Sequence, residues 1–340
     1  MSSNAARLVE LAAAKGVRVT AVTKAFGGRP DIARALVGAG VAALGDSRIE
    51  NLERLRTDCV QSPTVLIRSP MPSQTQRVVR AADLSLNTEI ETIELLSKFA
   101  VGLDVDHRIV LMVELGDLRE GFMPDEVDEA LKRVLDLPHL HFAGIGTNLA
   151  CRSGVIPDCA NMGELSRLAD RLELDHSVSV DVVSGGNSAN IDWLTSGSPI
   201  GRVNDLRLGE SILLGQEPLH RRPLDGLHTD SFVLIGEVIE SRRKPTQPWG
   251  QSAQSAFPRA TAPVESSEAW QTIVAIGRQD TDPDGLVMPD GVTYRGASSD
   301  HLVLGTQECY RPGVEMRFIP DYSALVRSMT CPNVRQVRCS

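Results

Sequence analysis

The chain has 340 residues, 42% of them hydrophobic, enough for one large domain, or a large one with a smaller companion, around a sizeable core. A net charge of −9 argues against a nucleic-acid backbone as partner, and no apolar run reaches the about 18 residues of a membrane span. The opening MSSNAARLVELAAAKG reads as an amphipathic helix rather than a signal peptide, and the six cysteines lack metal-ligand spacing. A cytoplasmic protein with reduced thiols, no metal and a small-molecule partner is expected.

Short β-rich runs then recur: VRVTAV (17–22), VAALG (41–45), TVLIR (64–68), DLSLN (83–87), RIVLMVE (108–114), FAGIGT (142–147), VSVDVV (178–183) and DLRL (205–208). Helical patterns such as DIARALVGA, EIETIELLSKF and PDEVDEALKRVL separate them. Eight such units predict a (β/α)8 barrel over residues 1–225, with its chemistry at the C-terminal strand ends. Past residue 225 the runs SFVLIGEVIESRRKP, QTIVAIGRQD, GVTYRGASSDHLVL and GVEMRFIP have no long helices between them, which predicts a β domain over 226–340. Pro245 to Ser267, rich in Pro, Ser, Ala and Gln, reads as a long loop.

Lys24 ends the first strand and is followed by Gly27 and Gly28. A lysine with its stem on apolar surface and its head in water would explain that position locally. Ser184-Gly185-Gly186-Asn187-Ser188 joins the seventh strand to a helix, so glycines and hydroxyl side chains meet a helix N-terminus, the setting of a phosphate site; a serine-capped glycine turn is the local alternative. Arg207, in NDLRLGE with Gly209, ends the eighth strand, where an ion pair with Asp205 or Glu210 would also account for it. Arg119, in ELGDLREG, follows a central strand, with a solvated loop arginine as the alternative. One lysine, one phosphate loop and two arginines on a common rim suit a phosphorylated cofactor or sugar that bonds covalently to an amine, and pyridoxal 5'-phosphate fits.

The motifs VTKAFG (22–27), Thr147-Asn148, SGGNS (184–188), RLGESILLG (207–215) and GASSDHL (296–302) occur in this order. Together they resemble the alanine racemase superfamily, the fold type III pyridoxal phosphate enzymes, and most of all its alanine/ornithine racemase-like branch. The resemblance implies that Lys24 carries the cofactor as an internal aldimine and that Asn187 and Ser188, beside Ser184, Gly185 and Gly186, hold its phosphate. Arg207, next to Gly209, would face the pyridine nitrogen, which must then stay an unprotonated acceptor because a guanidinium only donates. Arg119 matches the arginine near the cofactor phenolic oxygen and the substrate carboxylate. Asn148 stands where alanine racemases carry a ring-stacking histidine.

Racemisation needs acid/base groups on both faces of the substrate α-carbon. The resemblance implies Lys24 on one face and, on the other, a tyrosine from the partner subunit of a homodimer with shared sites. The matching segment here, Lys244-Pro245-Thr246-Gln247-Pro248-Trp249-Gly250, contains no tyrosine. Ser299, Asp300 and His301 are the candidates in its place, with a β-turn capped by aspartate as the alternative reading of GASSDHL. The expected activity is amino-acid racemisation on ornithine, lysine or alanine. A non-catalytic pyridoxal phosphate carrier is disfavoured because such carriers consist of the barrel alone; a decarboxylase of the same fold is disfavoured by Arg207, and a metal-assisted lyase by the lack of a His and Cys pair near the C-terminus.

Overall fold

The computed structural model describes residues 1–251, 253–254, 256–257 and 268–337, so most of the predicted loop after Pro245, and Cys339, lie outside the described residues. The chain divides into two compact units, Met1–Thr229 and Asp230–Ser340.

In the first unit the strands β1 (Arg18–Val22), β2 (Ala43–Asp46), β3 (Thr64–Leu66), β4 (Leu84–Asn87), β5 (His107–Met112), β6 (Leu140–Gly146), β7 (Val182–Ser184) and β8 (Asp205–Leu208) form a closed parallel barrel. Closure pairs β8 with β1, setting Thr20 opposite Arg207. Around it run α1 (Ser2–Ala13), α2 (Pro30–Gly38), α3 (Ile49–Thr57), α4 (Thr75–Ala81), α5 (Ile90–Leu103), α6 (Val127–Leu135), α7 (Cys159–His176), α8 (Ile191–Thr195) and α9 (Glu210–Leu214). Helix α6 shows why they pack: Val127, Ala130, Leu131 and Val134 recur at helical spacing and are buried, while Glu129, Lys132 and Arg133 face solvent.

The seventh strand is shorter than its sequence run. The amide of Val180 donates to Glu173 and the carbonyl of Asp181 accepts from Asn204, so side chains take the backbone groups that a longer strand would pair. Between β6 and β7, Gly144 has φ +148° and lies so close to the Val182 carbonyl that a Cβ would collide with it.

Leu84, Leu86, Val110, Met112 and Ala143 pack with Val65, Ile67 and Val182 across strands β3 to β7. On the opposite face of β4, Ser85 and Asn87 are buried with His107, whose Nε2 lies 2.8 Å from Ser85 Oγ. Burial pushes the His107 imidazole down to about 4, against the opposing effects of Asp83 and the Ala82 backbone. It is therefore neutral in the folded chain, and its contribution to stability is complete above the unfolded value of 6.5 and is lost as pH falls from there towards 4. Urea unfolding of wild type and His107→Gln checks this: between pH 7 and 5 the wild type is expected to lose about 2 kcal/mol more than the variant. Parallel losses in the two proteins would assign the pH dependence to other groups.

The second unit is a six-stranded antiparallel sheet in the order β11-β14-β9-β10-β13-β12, built from β9 (Leu234–Pro245), β10 (Glu268–Val274), β11 (Leu286–Val287), β12 (Thr293–Ala297), β13 (Leu302–Thr306) and β14 (Glu315–Pro320). At the start of β9 the alternation is strict, with Leu234, Gly236 and Val238 buried and the residues between them exposed. Leu234 and Val238 join Val274, Leu302, Leu304 and Phe318 in one core, closed by Ala324 of α10 (Tyr322–Thr330). That helix has no counterpart in the sequence reading; it is nine residues long and starts where Asp321 caps the Ala324 amide at 2.9 Å. Among the described residues no helix is long and apolar enough to cross a membrane, and no group of three or more His, Cys, Asp or Glu could hold a metal ion.

Candidate functional site at the C-terminal end of the barrel

Strand β1 ends at Val22; after Thr23, Lys24 opens a single 3-10 turn, Lys24–Phe26, closed by Gly27 and Gly28, both at φ +61°. Thr23 Oγ1 donates to Asp46 Oδ2 at 2.5 Å, while Asp46 Oδ1 accepts from the Arg48 amide at 2.8 Å and Asn51 Nδ2 at 3.0 Å. A Cβ on Gly28 would come 2.7 Å from the Asn51 Cβ, so this glycine makes room for the asparagine that binds Asp46. Burial pushes the Asp46 carboxyl up; the bonds from Thr23, Arg48 and Asn51 and the Lys24 charge pull it down. The charge of half-buried Lys24 therefore acts on a carboxyl that the sequence reading did not single out.

Arg207 on β8 is 5% exposed. It donates through one terminal nitrogen to Ser184 Oγ and through the other to the Thr147 carbonyl at 2.6 Å and Asn148 Oδ1 at 3.4 Å. Ser184 Oγ in turn donates to Asp205 Oδ2 at 2.5 Å, and Thr20 Oγ1 to Asp205 Oδ1 at 2.7 Å. Because a guanidinium only donates and an ionised carboxylate only accepts, the proton order of this relay is fixed. Among the described residues Arg207 makes no direct ion pair: Asp205 reaches it through Ser184, and Glu210 pairs with Arg221. Burial pushes the Arg207 guanidinium down to about 10, still a cation at neutral pH.

The phosphate-loop candidates divide by what their side chains already bind. Asn187 caps Ala189 and donates to Asn148 Oδ1 at 3.1 Å and to the Leu149 carbonyl at 2.8 Å. Ser188 Oγ accepts from the Gly209 and Ser211 amides, at 3.3 and 3.1 Å, and from Ser211 Oγ at 3.0 Å, which leaves its own proton to be donated. Gly185 and Gly186 serve the protein's own packing: a Cβ on Gly185 would lie 2.7 Å from Val203 Cγ1, and one on Gly186 would strike Asn190 Oδ1. Asn148 Nδ2 is buried with no partner, an open donor beside Arg207.

Arg119 lies in a loop braced by two carboxylates. Glu114 accepts from the amides of Gly116 (2.5 Å), Leu118 (2.9 Å) and Arg119 (3.2 Å), and Asp117 from those of Cys151 (3.2 Å), Arg152 (2.9 Å) and Ser153 (3.0 Å), which ties the loops after β5 and β6 together. The Arg119 guanidinium is bound through two nitrogens by Glu120 and donates from the third to Cys151 Sγ at 2.7 Å. Arg119 is exposed in its loop, as its solvated-loop alternative expects, and its charge and that of Glu120 both act on Arg207.

In the second unit Ser298 Oγ, Ser299 Oγ and His301 Nδ1 all lie 3.0–3.1 Å from Asp300 Oδ1. His301 first, then the two hydroxyls, hold the Asp300 carboxyl below the usual range. The turn is fixed from outside by Gln279, whose amide donates to the Ser299 carbonyl at 2.9 Å. Trp249 is 94% exposed.

The sequence reading thus found the strand-end cations, quoted Thr147 within a motif and offered Asp205 as a direct ion-pair partner of Arg207, and did not single out Asp46, Ser211, Glu114, Asp117 or Glu120; the structure puts Ser184 between Asp205 and Arg207. Asp205 carried one signal, its two-residue spacing from Arg207 within a strand.

Comparison with known proteins covers both units. A family profile described as alanine racemase, N-terminal domain, matches residues 1–217. The chain is 34% identical to an ornithine racemase of Acetoanaerobium sticklandii, over 97% of its own length and 94% of the relative's, and 33% identical to a lysine racemase of Thermotoga maritima, over 99% and 95%. The alanine racemase of Streptomyces lavendulae has the same fold, with a TM-score of 0.73 at 18% identity over 96% of this chain and 91% of that one. An N-terminal profile that spans the barrel and relatives that continue through the β unit place this chain in the alanine racemase family.

Proposed function

We propose that this chain is a pyridoxal phosphate-dependent amino-acid racemase of the cytoplasm, active as a homodimer on ornithine, lysine or alanine. Similarity over 97% and 99% of the chain to an ornithine and a lysine racemase carries the racemase reading. The residues at the barrel mouth fit the cofactor: Ser188 has a proton to give to a phosphate oxygen, Asn148 Nδ2 is a buried donor without a partner, and Arg207 is a fixed cation.

In this reading Ser188, Asn187 and the backbone of Gly185 and Gly186 hold the phosphate, with Gly209 supporting Ser188. When bound, pyridoxal phosphate withdraws electrons from the substrate α-carbon and acidifies its C–H. Arg207, fixed by Ser184 and Asp205, would donate to the ring nitrogen, which would then stay unprotonated. Arg119 would take the substrate carboxylate. Lys24 would hold the cofactor through its amine and serve as the acid/base group on one face, taking the α-proton in one direction of the reaction and delivering one in the other.

In the homodimer, a group of the Ser299, Asp300 and His301 turn would serve the opposite face in the neighbouring subunit's site. An Asp300 carboxyl held below its usual range is a weak base near neutrality, which favours its orienting Ser299 or His301 over carrying the proton itself.

Incubating the holoprotein with single L-amino acids in deuterated water tests the reading. Deuterium at the α-carbon and accumulation of the D enantiomer are expected for at least one of ornithine, lysine and alanine. Exchange without inversion, or neither, would remove the racemase assignment.

A further inference from the structure

The carboxylates at the barrel mouth differ in what they bind. Asp46 and Asp205 are buried and bound to hydroxyl groups, and Glu114 and Asp117 are each bound to three backbone amides. Glu120 alone among these five has a guanidinium as its partner, and the Arg119–Glu120 pair is partly open to solvent, 33% and 28% exposed. Glu120 holds the Nε–Nη2 edge of Arg119 and Cys151 its other terminal nitrogen, so a substrate carboxylate that takes the Nε–Nη2 edge replaces Glu120.

We propose that Glu120 selects diamino acids: when the substrate carboxylate displaces it from Arg119, Glu120 takes the distal ammonium of the same substrate. The exchange conserves charge. Two ion pairs replace one, whereas a substrate with a neutral side chain frees a partly buried carboxylate and gives it no cation. The same reasoning places alanine below ornithine and lysine, and the inference rests on the racemase reading.

Wild type is measured first, with L-ornithine, its neutral isostere L-norvaline and Nδ-acetyl-L-ornithine, by kcat/KM and by calorimetric binding. A preference for ornithine of at least about tenfold over both others is expected in each measurement. In Glu120→Gln that preference is expected to fall about tenfold, mainly through KM for ornithine, while Glu120→Asp keeps part of it. Equal turnover of ornithine and norvaline by wild type, an unchanged ratio in Glu120→Gln, or identical ratios in the Gln and Asp variants would each overturn the selection by Glu120 and leave the racemase reading intact. A wild-type protein that inverts no amino acid would end the racemase reading, and this inference with it.

Discussion

Lys24→Ala is expected to lower racemisation by at least about a thousandfold and to abolish the visible absorption of the bound cofactor. The chain has five lysines, and the other four are badly placed for this chemistry. Lys15 is exposed in the turn before β1, at the opposite end of that strand, and Lys98 is exposed on α5. Lys132 pairs with Glu129 on α6, and Lys244 pairs with Glu240 in the second unit. Lys24 alone follows a barrel strand at its C-terminal end, beside Asp46. Absorbance and chiral chromatography on the reconstituted variant check the result; an unchanged spectrum would move the covalent role to another lysine.

Asp205→Ala is expected to cost about 3 kcal/mol of stability and to reduce turnover with it. Its carboxylate accepts from Thr20 and Ser184, and Ser184 is the acceptor for Arg207. Removing it leaves two buried hydroxyls without acceptors and a buried cation without the charge that offsets its desolvation. Asp205→Asn keeps the shape and one acceptor and should fall between the two. Urea unfolding midpoints with m-values measure the difference, and a loss below about 0.5 kcal/mol in Asp205→Ala would show that the relay does not hold Arg207.

Much of the barrel was legible because its strands are short apolar runs of β-branched residues at regular intervals, and the strand-end cations because a buried run that stops on Lys24, or contains Arg207, breaks its own pattern. The bonds of the acidic partners were not legible, and Asp205 was offered only as a direct ion pair with Arg207. Asp46 meets Thr23 across 23 residues, Ser184 meets Asp205 across 21, and Thr20 meets Asp205 across 185, and nothing in an aspartate's neighbours tells whether it turns inward. Gly185 and Gly186 read as a ligand cradle from their sequence, while the close approach to Val203 and Asn190 that they also permit had no sequence signal. Strand length failed where side chains capture backbone groups, as Glu173 and Asn204 do before β7.

The braces formed by Glu114 and Asp117 bear on how such a site diversifies. Each takes three amides of the loops after β5 and β6, to which Arg119 adds a bond to Cys151 and Arg152 one to the Leu118 carbonyl, while the Glu120 side chain takes no part in joining the two loops. Substitutions at Glu120 can accumulate without removing these links, while Lys24 and Arg207 keep their strand-borne places. New substrate ranges are thus open to a lineage with this scaffold at little cost to folding.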